Sequence, residues 1–127
     1  SDLQRRIDIR RAHFEAYRAE LGALTGIDFM PIVDPEAANY WLTCLTVDSE
    51  TSGSSRDALI AALEAVDIEA RPLWKPLHLQ PVFKEKICHG GELAARLFKD
   101  GLCLPSGSAM HQSDREAVIT AIKETLA

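Results

Sequence analysis

The feature that most constrains this chain is a proline-rich stretch of sixteen residues, Ile68 to Phe83, with the sequence IEARPLWKPLHLQPVF. Pro72, Pro76 and Pro81 fall within ten positions of it. Because each proline fixes its φ angle and lacks an N–H, neither a helix nor an inner strand can continue through them. Between the prolines stand side chains with strong donors or a broad aromatic face: Arg71, Trp74, Lys75, His78 and Gln80. The stretch predicts a stiff, irregular wall of a binding site, because fixed backbone angles lower the entropy lost when donors are positioned.

The length and charge of the chain limit the classes of protein it can belong to. Its 127 residues suffice for one domain with a real core, but not for two. A net charge of −5 argues against general affinity for polyanions, so we expect no nucleic-acid partner. No apolar run approaches the roughly 20 residues of a membrane span. The cysteines, Cys44, Cys88 and Cys103, are odd in number and widely spaced, which favours free thiols in the cytoplasm.

The first segment, residues 2–24, has the periodicity of an amphipathic helix. Apolar side chains recur there at steps of three and four, at Leu3, Ile7, Phe14, Tyr17, Leu21 and Leu24. Only Arg10 interrupts this stripe. Acidic residues nearly balance the arginines of the segment, so a solvated face is favoured over a nucleic-acid surface. Such a helix can also connect two domains, and we assign residues 1–25 as a linking helix.

The middle of the chain predicts a strand, a helix and a second strand. Residues 39–47, NYWLTCLTV, are apolar on both faces and predict an inner strand, with Cys44 as a small buried filler. Ser54-x-x-Asp57 then predicts a capping box for a helix over 55–66. A short strand follows at Ile68–Arg71. Such a unit normally forms a right-handed crossover between parallel strands.

The last third of the chain predicts two helices around one short strand. A helix is expected over 92–101 and a strand over 102–104, and Ser113-x-x-Glu116 is expected to cap a final helix. The fold class is therefore α/β, a small sandwich in which helices pack on a sheet of roughly three strands, with the small domain over 39–127.

Each candidate functional residue has two open interpretations. His78 has the pKa range for acid–base work, or it is a structural hydrogen-bond partner. Arg71 could hold a carboxylate or phosphate, or form a surface ion pair. Lys75, between Trp74 and Pro76, has little room to move, which favours a directed contact over a solvated one. Trp74 could stack on a sugar, a base or a cofactor, or be buried in the core.

Metal and phosphate signatures are weak. Cys88 and His89 are adjacent, but no further spaced pair supports them, so we predict no metal site. No glycine-rich phosphate loop of the usual types is present. The segment PSGS at 105–108 either presents backbone donors to an anion ahead of the last helix or forms a plain turn.

The run EARPLWKPLHLQPVF (69–83) closely resembles the C-terminal domain of DegT-type aminotransferases, which use pyridoxal phosphate to aminate keto-sugars attached to nucleotides. The resemblance continues through RRAHFEAYRAEL (10–21), YWLTCLTV (40–47), SRDALIAALEAVDIEARP (55–72) and GLCLPSGSAM (101–110), in the family's order. The segment LWKPLHLQP is most similar to members that make 4-amino-6-deoxy-N-acetyl sugars for cell-surface polysaccharides or glycans.

This resemblance implies that residues 1–127 are a single domain, the C-terminal small domain of a longer fold-type-I aminotransferase. The missing N-terminal large domain would supply the Schiff-base lysine, so we assign no catalytic residue here and expect no pyridoxal 5'-phosphate on this part alone. The full-length enzyme is expected to be a homodimer that uses glutamate as amino donor.

The resemblance also implies roles for four residues of the proline-rich stretch. Arg71 would contact an anionic group, either the donor carboxylate or a substrate phosphate. Trp74 and Lys75 would face the sugar nucleotide. His78 would orient the loop or hydrogen-bond the substrate.

Two other classes of function compete with this one. A free-standing, non-catalytic α/β module could bind a small anion in the same wall. A dimerisation domain would carry a sizeable exposed apolar patch. An isolated small domain would expose such a patch as well, and we expect it along the stripe of residues 3–24.

Overall fold

The computed structural model describes all 127 residues, and it has a mixed α/β fold. The helices are α1 (Asp2–Leu21), α2 (Ser49–Ser52), α3 (Arg56–Glu64), α4 (Glu92–Asp100) and α5 (Gln112–Thr125). The strands are β1 (Ile27–Phe29), β2 (Thr43–Val47), β3 (Arg71–Pro72) and β4 (Gly101–Leu104). The predicted fold class is confirmed, with four strands where about three were expected.

The sheet has the order β1-β2-β4-β3, and every neighbouring pair is antiparallel. Because β4 runs antiparallel to both β2 and β3, those two strands are parallel to each other with β4 between them. The predicted strand–helix–strand crossover is therefore present in a split form, in which its two strands do not pair. The sequence did not indicate β1, because three residues are too short to show an alternation.

The core lies on one face of the sheet. Helices α1, α3 and α5 pack on that face, to which the strands contribute Leu45, Val47, Leu102 and Leu104. Tyr17, Leu21, Leu59, Leu63 and Ile122 are fully buried there. Each such aliphatic side chain stabilises the fold by about 1.5–3 kcal/mol. Helix α4 contacts β2 and β4, and its Leu97 lies beside Cys44 and Thr46 on the other face.

Helix α1 is buried only along its second half. Its buried residues are His13, Phe14, Tyr17 and Leu21, whereas Leu3 is 68% exposed. The helix ends at Leu21 instead of residue 24, at a glycine whose N–H donates to the Arg18 carbonyl at 3.0 Å. The stripe predicted over residues 3–24 is therefore a core face in part only.

Several predicted boundaries are wrong by one to four residues. Strand β2 begins at Thr43 instead of Asn39, since Tyr40 has a φ angle of 49° that no strand accommodates. The second strand lies at Arg71–Pro72 instead of the predicted Ile68–Arg71.

The predicted caps of two helices also move. Ser55, and not Ser54, caps α3 by accepting from the Ala58 N–H. At α5, the Asp114 carboxylate accepts from the His111 N–H at 2.8 Å, in place of the predicted pair formed by Ser113 and Glu116.

Candidate functional site

The proline-rich stretch forms the irregular wall that its sequence predicts. After β3 the chain contains only two short 3-10 turns before α4, at Leu77–Leu79 and Pro81–Phe83. Backbone N–H groups close each turn at about 3 Å, and the Gln80 side chain donates to the Lys75 carbonyl at 3.2 Å. The segment is folded on itself and fixed without belonging to a helix or an inner strand.

Trp74 lies on the surface of this wall. Its side chain is 66% exposed, so the alternative of core burial is wrong. The ring packs on Trp41, with ring centroids 6.0 Å apart. Both rings line an open apolar cavity of about 590 Å³ on the second face of the sheet, together with Met30, Leu73 and Leu97. An exposed aromatic pair beside apolar surface suits a sugar ring, a base or a neighbouring domain.

Arg71 is exposed and forms an ion pair with Glu69. Its Nε donates to the Glu69 carboxylate at 2.6 Å, and its Nη2 contacts the same oxygen. The surface-pair interpretation therefore describes Arg71 in this structure. An exposed pair contributes only about 0–1 kcal/mol, so an incoming anion can replace Glu69 at little expense.

A second cavity, of about 260 Å³, is lined by Arg71 and by another arginine. Arg10 of α1 lines it, as do Trp41 and residues 105–107. Arg10 is half-buried, and its buried Nε has no hydrogen-bond partner. Two guanidinium groups against one carboxylate, that of Glu69, leave this cavity with an excess of positive charge. Such a pair suits a carboxylate or a phosphate.

The loop that closes this cavity is held by α1. Burial raises the pKa of Tyr17, so its hydroxyl keeps its proton and donates to the Pro105 carbonyl at 2.9 Å. Arg6 donates to the Ser108 hydroxyl at 3.1 Å. The PSGS segment is therefore an ordered wall of the cavity rather than a free turn.

His78 packs against the start of α4. Gly91 caps that helix with a φ angle of 101°, and a Cβ there would lie 2.9 Å from His78 Cε1. The half-buried imidazole thus fills the space that this glycine leaves open. The arrangement favours the structural part of the His78 hypothesis, in which the ring positions the loop.

The structure brings together two of the four predicted site residues. Trp41 lines both cavities and so connects Arg71 with Trp74. The Lys75 side chain is exposed, and its amine makes no ion pair or hydrogen bond. His78 makes no side-chain hydrogen bond to Arg71 or Trp74. The shared site therefore consists of Arg71 and Trp74, and Lys75 and His78 lie further along the same wall.

Sequence reasoning missed three residues that shape the site. Arg10 was interpreted as an interruption of a stripe, and Trp41 as part of a strand. Arg56 gave no signal, yet it is buried and donates to the Phe98 carbonyl at 2.9 Å and the Gly101 carbonyl at 3.3 Å. It fixes the end of α4 behind the apolar cavity. Only its position just inside a helix start, next to Asp57, could have drawn attention to it.

The linings of the two cavities described above do not fit a pyridoxal phosphate site. A Schiff-base lysine has to reach the cofactor from the wall of a cavity. The cavities beside Arg71 and Trp74 have no lysine among their lining residues. Four of the five lysines are exposed, and the fifth, Lys123, pairs with Glu20 at 2.6 Å.

The structure has neither a metal-binding cluster nor a helix able to cross a membrane. No three His, Cys, Asp or Glu side chains lie close enough together to hold a metal ion. None of the helices combines the length and the apolar character needed to cross a membrane.

Comparison with known proteins gives consistent relatives. The model of the DegT/DnrJ/EryC1/StrS aminotransferase family matches residues 1–123. EpsN of Bacillus subtilis, assigned to the pyridoxal phosphate-dependent aminotransferases, is 41% identical over 124 residues, which are 94% of this chain and 31% of EpsN. GDP-perosamine synthase of Caulobacter vibrioides is 29% identical over 87 residues, 68% of this chain and 23% of the synthase.

A solved structure agrees with these relatives. DesI, crystallised in the presence of its TDP-sugar product, superposes with a TM-score of 0.81 at 25% identity, over 95% of this chain and 31% of DesI. The chain thus spans about a third of the length of EpsN and DesI. Since the family model covers nearly all of its residues, this chain belongs to the DegT/DnrJ/EryC1/StrS aminotransferase family.

Proposed function

We propose that this chain is the small domain of a pyridoxal phosphate-dependent aminotransferase that transfers an amino group to a nucleotide-linked keto-sugar. The observation that carries the proposal is the exposed Trp74–Trp41 pair adjoining the cavity of Arg71 and Arg10. A sugar nucleotide has rings that stack on an indole and phosphates that pair with guanidinium groups. The relatives support this substrate class, since GDP-perosamine synthase and DesI are named with nucleotide-linked sugars.

Each residue of the wall has a part in this proposal. Arg71 leaves Glu69 and binds an anionic group, either the substrate phosphate or the carboxylate of the amino donor. Arg10 binds the same group from the side of α1. Trp74 and Lys75 contact the sugar nucleotide, and His78 positions the loop against Gly91.

The cofactor and its lysine belong, in this proposal, to an N-terminal large domain. The partial coverage of its relatives supports this assignment, since the chain spans 31% of EpsN and 31% of DesI. The chain alone is then inactive, and its own residues bind and orient substrate. We further infer a homodimeric enzyme that uses glutamate, and a cytoplasmic location, which the odd number and wide spacing of the cysteines support.

The exposed apolar surface supports a neighbouring domain on one side of the molecule. The exposed large apolar side chains include Met30, Val33, Trp41, Trp74, Leu77, Val82, Phe83, Ile87, Leu93 and Leu97. They lie within residues 30–41 and 74–97, apart from Val66, and α1 adds only Leu3. The expectation of a patch along residues 3–24 is therefore wrong. The large domain is proposed to cover the side that bears Trp74.

The substrate class is the finer part of the proposal. The likeness of LWKPLHLQP to makers of 4-amino-6-deoxy-N-acetyl sugars favours a keto-sugar of that type, used in cell-surface polysaccharide or glycan synthesis. The test is incubation of the full-length enzyme with glutamate and a panel of nucleotide-linked keto-sugars. We expect an amino-sugar nucleotide and 2-oxoglutarate in equal amounts from at least one of them. If no member of the panel is aminated while a non-nucleotide ketone is, the proposed substrate class is wrong.

A further inference from the structure

Two of the three cysteines face each other across the sheet. Cys44 of β2 is directly opposite Cys103 of β4, and their Sγ atoms are 3.5 Å apart. Cys44 is only 6% exposed, whereas Cys103 is half-buried and lines the cavity that also contains Arg71. The interpretation of Cys44 as an inert filler leaves this pairing unexplained.

The strand register sets the separation of the two backbones. The Met30 N–H donates to the Cys44 carbonyl at 3.0 Å, so the backbone polar groups of Cys44 point toward β1. The Leu73 N–H donates to the Gly101 carbonyl, so Gly101 and, two residues on, Cys103 point toward β3. Both facts place Cys44 and Cys103 in a non-hydrogen-bonded pair, where Cα atoms are about 4.5 Å apart. That separation falls within the disulfide range of about 4.4–6.8 Å.

The two thiols differ in reactivity. The hydrogen bond with Cys44 lowers the pKa of Cys103 to about 7, and the same hydrogen bond raises the pKa of Cys44. Cys103 thus has thiolate character and access from the cavity, the two properties of an attacking cysteine. Cys44 is placed to act second, since it lies in contact behind Cys103.

We propose that Cys44 and Cys103 form a dithiol–disulfide site that is oxidised by small disulfides of the glutathione class. The Cys103 thiolate attacks one sulfur of the disulfide, and the first small thiolate leaves. Cys44 then attacks the Cys103 sulfur, loses its proton to the released thiolate and expels the second small thiolate. One small disulfide is reduced to two thiols while the Cys44–Cys103 bond forms. This proposal does not depend on the function proposed above.

The position of the pair gives this chemistry a consequence for the cavity. Cys103 of β4 pairs with Cys44 of β2 on one side and with Arg71 of β3 on the other. The side chains of Cys44, Cys103 and Arg71 therefore lie in one row on the same face of the sheet. A small thiol attached to Cys103 occupies the space beside Arg71. Closure by Cys44 releases it and clears that space.

Cys88 is the natural comparison within the chain. It is exposed, and its Sγ donates to the Gly90 carbonyl at 3.3 Å. The other two cysteines lie in the sheet, opposite each other. With no second thiol to complete the exchange, Cys88 stops at the mixed disulfide. Its replacement by serine removes that background without touching the pair.

The test uses the 127-residue chain with Cys88→Ser, incubated with oxidised glutathione and analysed by intact mass and peptide mapping. We expect a product lighter by two hydrogens in which the Cys44 and Cys103 peptides are linked. Adding Cys44→Ser should stop the reaction at glutathionylated Cys103. Adding Cys103→Ser should slow modification by about tenfold or more, because only the buried thiol is left.

The outcome that overturns the proposal is a Cys88→Ser chain that keeps both thiols, or that accumulates glutathione on Cys103 without closing. Circular dichroism checks that each serine variant is folded. If a variant of the pair does not fold, the linked peptide in the Cys88→Ser chain still decides the question, because both members of the pair are intact there.

Discussion

At the scale of single residues, the end of α4 beside the site depends on one arginine, Arg56, whose acceptors are distant in the sequence. Arg56 reaches across 42 positions to the Phe98 carbonyl, and its guanidinium lies 5.6 Å from the Phe98 ring. Asp57 balances its charge through an ion pair. A buried arginine with these partners holds the end of α4, and with it Leu97, against the sheet.

Replacing Arg56 with methionine keeps most of the side-chain volume but removes the donors. We expect the free energy of unfolding to fall by about 2–4 kcal/mol, because the part-buried Phe98 carbonyl and the buried Gly101 carbonyl both lose a donor. Urea denaturation measures the loss. Arg96→Met is the matched control, since Arg96 is an exposed arginine of α4, the helix whose end Arg56 holds. Equal losses in the two variants would contradict this role of Arg56.

His13 makes the stability depend on pH. Burial, and secondarily the charge of Arg115, lower the pKa of His13 below its ordinary value of 6.5. The unfolded chain then binds a proton more readily than the folded chain, so stability falls as the pH drops through 6.5. We expect a lower urea midpoint at about pH 5.5 than at about pH 7.5.

The matched variant for this prediction is His13→Gln. It removes the titrating group, so its midpoint should change less over the same interval. Ion pairs with Arg6 and Lys123 also lower the pKa values of Asp2 and Glu20. The stability that these two carboxylates contribute is lost at a more acidic pH than that of His13. A variant with the pH dependence of the parent would rule out His13 as its source.

At the scale of elements, the segments with long periodic patterns were predicted, whereas the short elements β1 and α2 were not. The sequence indicated helices α1, α3, α4 and α5, because each repeats its apolar positions over two turns or more. Strand β1 was missed because three residues contain no such repeat. The caps of α3 and α5 moved by one or two positions because several capping residues stand in a row there, and only the packed helix selects among them.

The junction between the proline-rich wall and α4 depends on Gly91. Alanine there needs a φ angle of 101°, and its Cβ would meet the His78 ring at 2.9 Å. We expect Gly91→Ala to lower the free energy of unfolding by about 1–3 kcal/mol. Gly90→Ala is the control, because its φ angle of 71° is also positive but no atom lies within 4 Å of its Cβ.

The difference between the two glycine variants contains the contact with His78, together with a contact to Cys88 Sγ at 3.1 Å and the difference in φ angle. Truncation of His78 to alanine should reduce the penalty of Gly91→Ala toward that of Gly90→Ala, as a double-mutant cycle shows. If the penalty of Gly91→Ala is unchanged in the His78→Ala background, the ring does not depend on this glycine.

At the scale of the whole molecule, the two faces of the sheet differ. Three helices cover one face, while the other has α4 and an open apolar cavity lined by Trp41 and Trp74. The sequence predicted the fold class and the irregular wall, because both follow from local patterns. It did not predict that Trp41 would line a cavity with each of Arg71 and Trp74, or that Arg10 and Arg71 would line the same cavity. These residues lie 30 to 61 positions apart in the printed sequence.

The proposed role of this wall is to hold the substrate of an aminotransferase. Steady-state kinetics of the full-length enzyme with Arg71→Ala test that claim. The KM for the keto-sugar nucleotide or for the amino donor should rise by about tenfold or more, since a charge-assisted hydrogen bond contributes about 1.5–3 kcal/mol. Arg96→Ala, on the exposed side of α4, should leave both KM values unchanged. A rate and KM values for both substrates that are the same in Arg71→Ala as in the parent enzyme would contradict the claim.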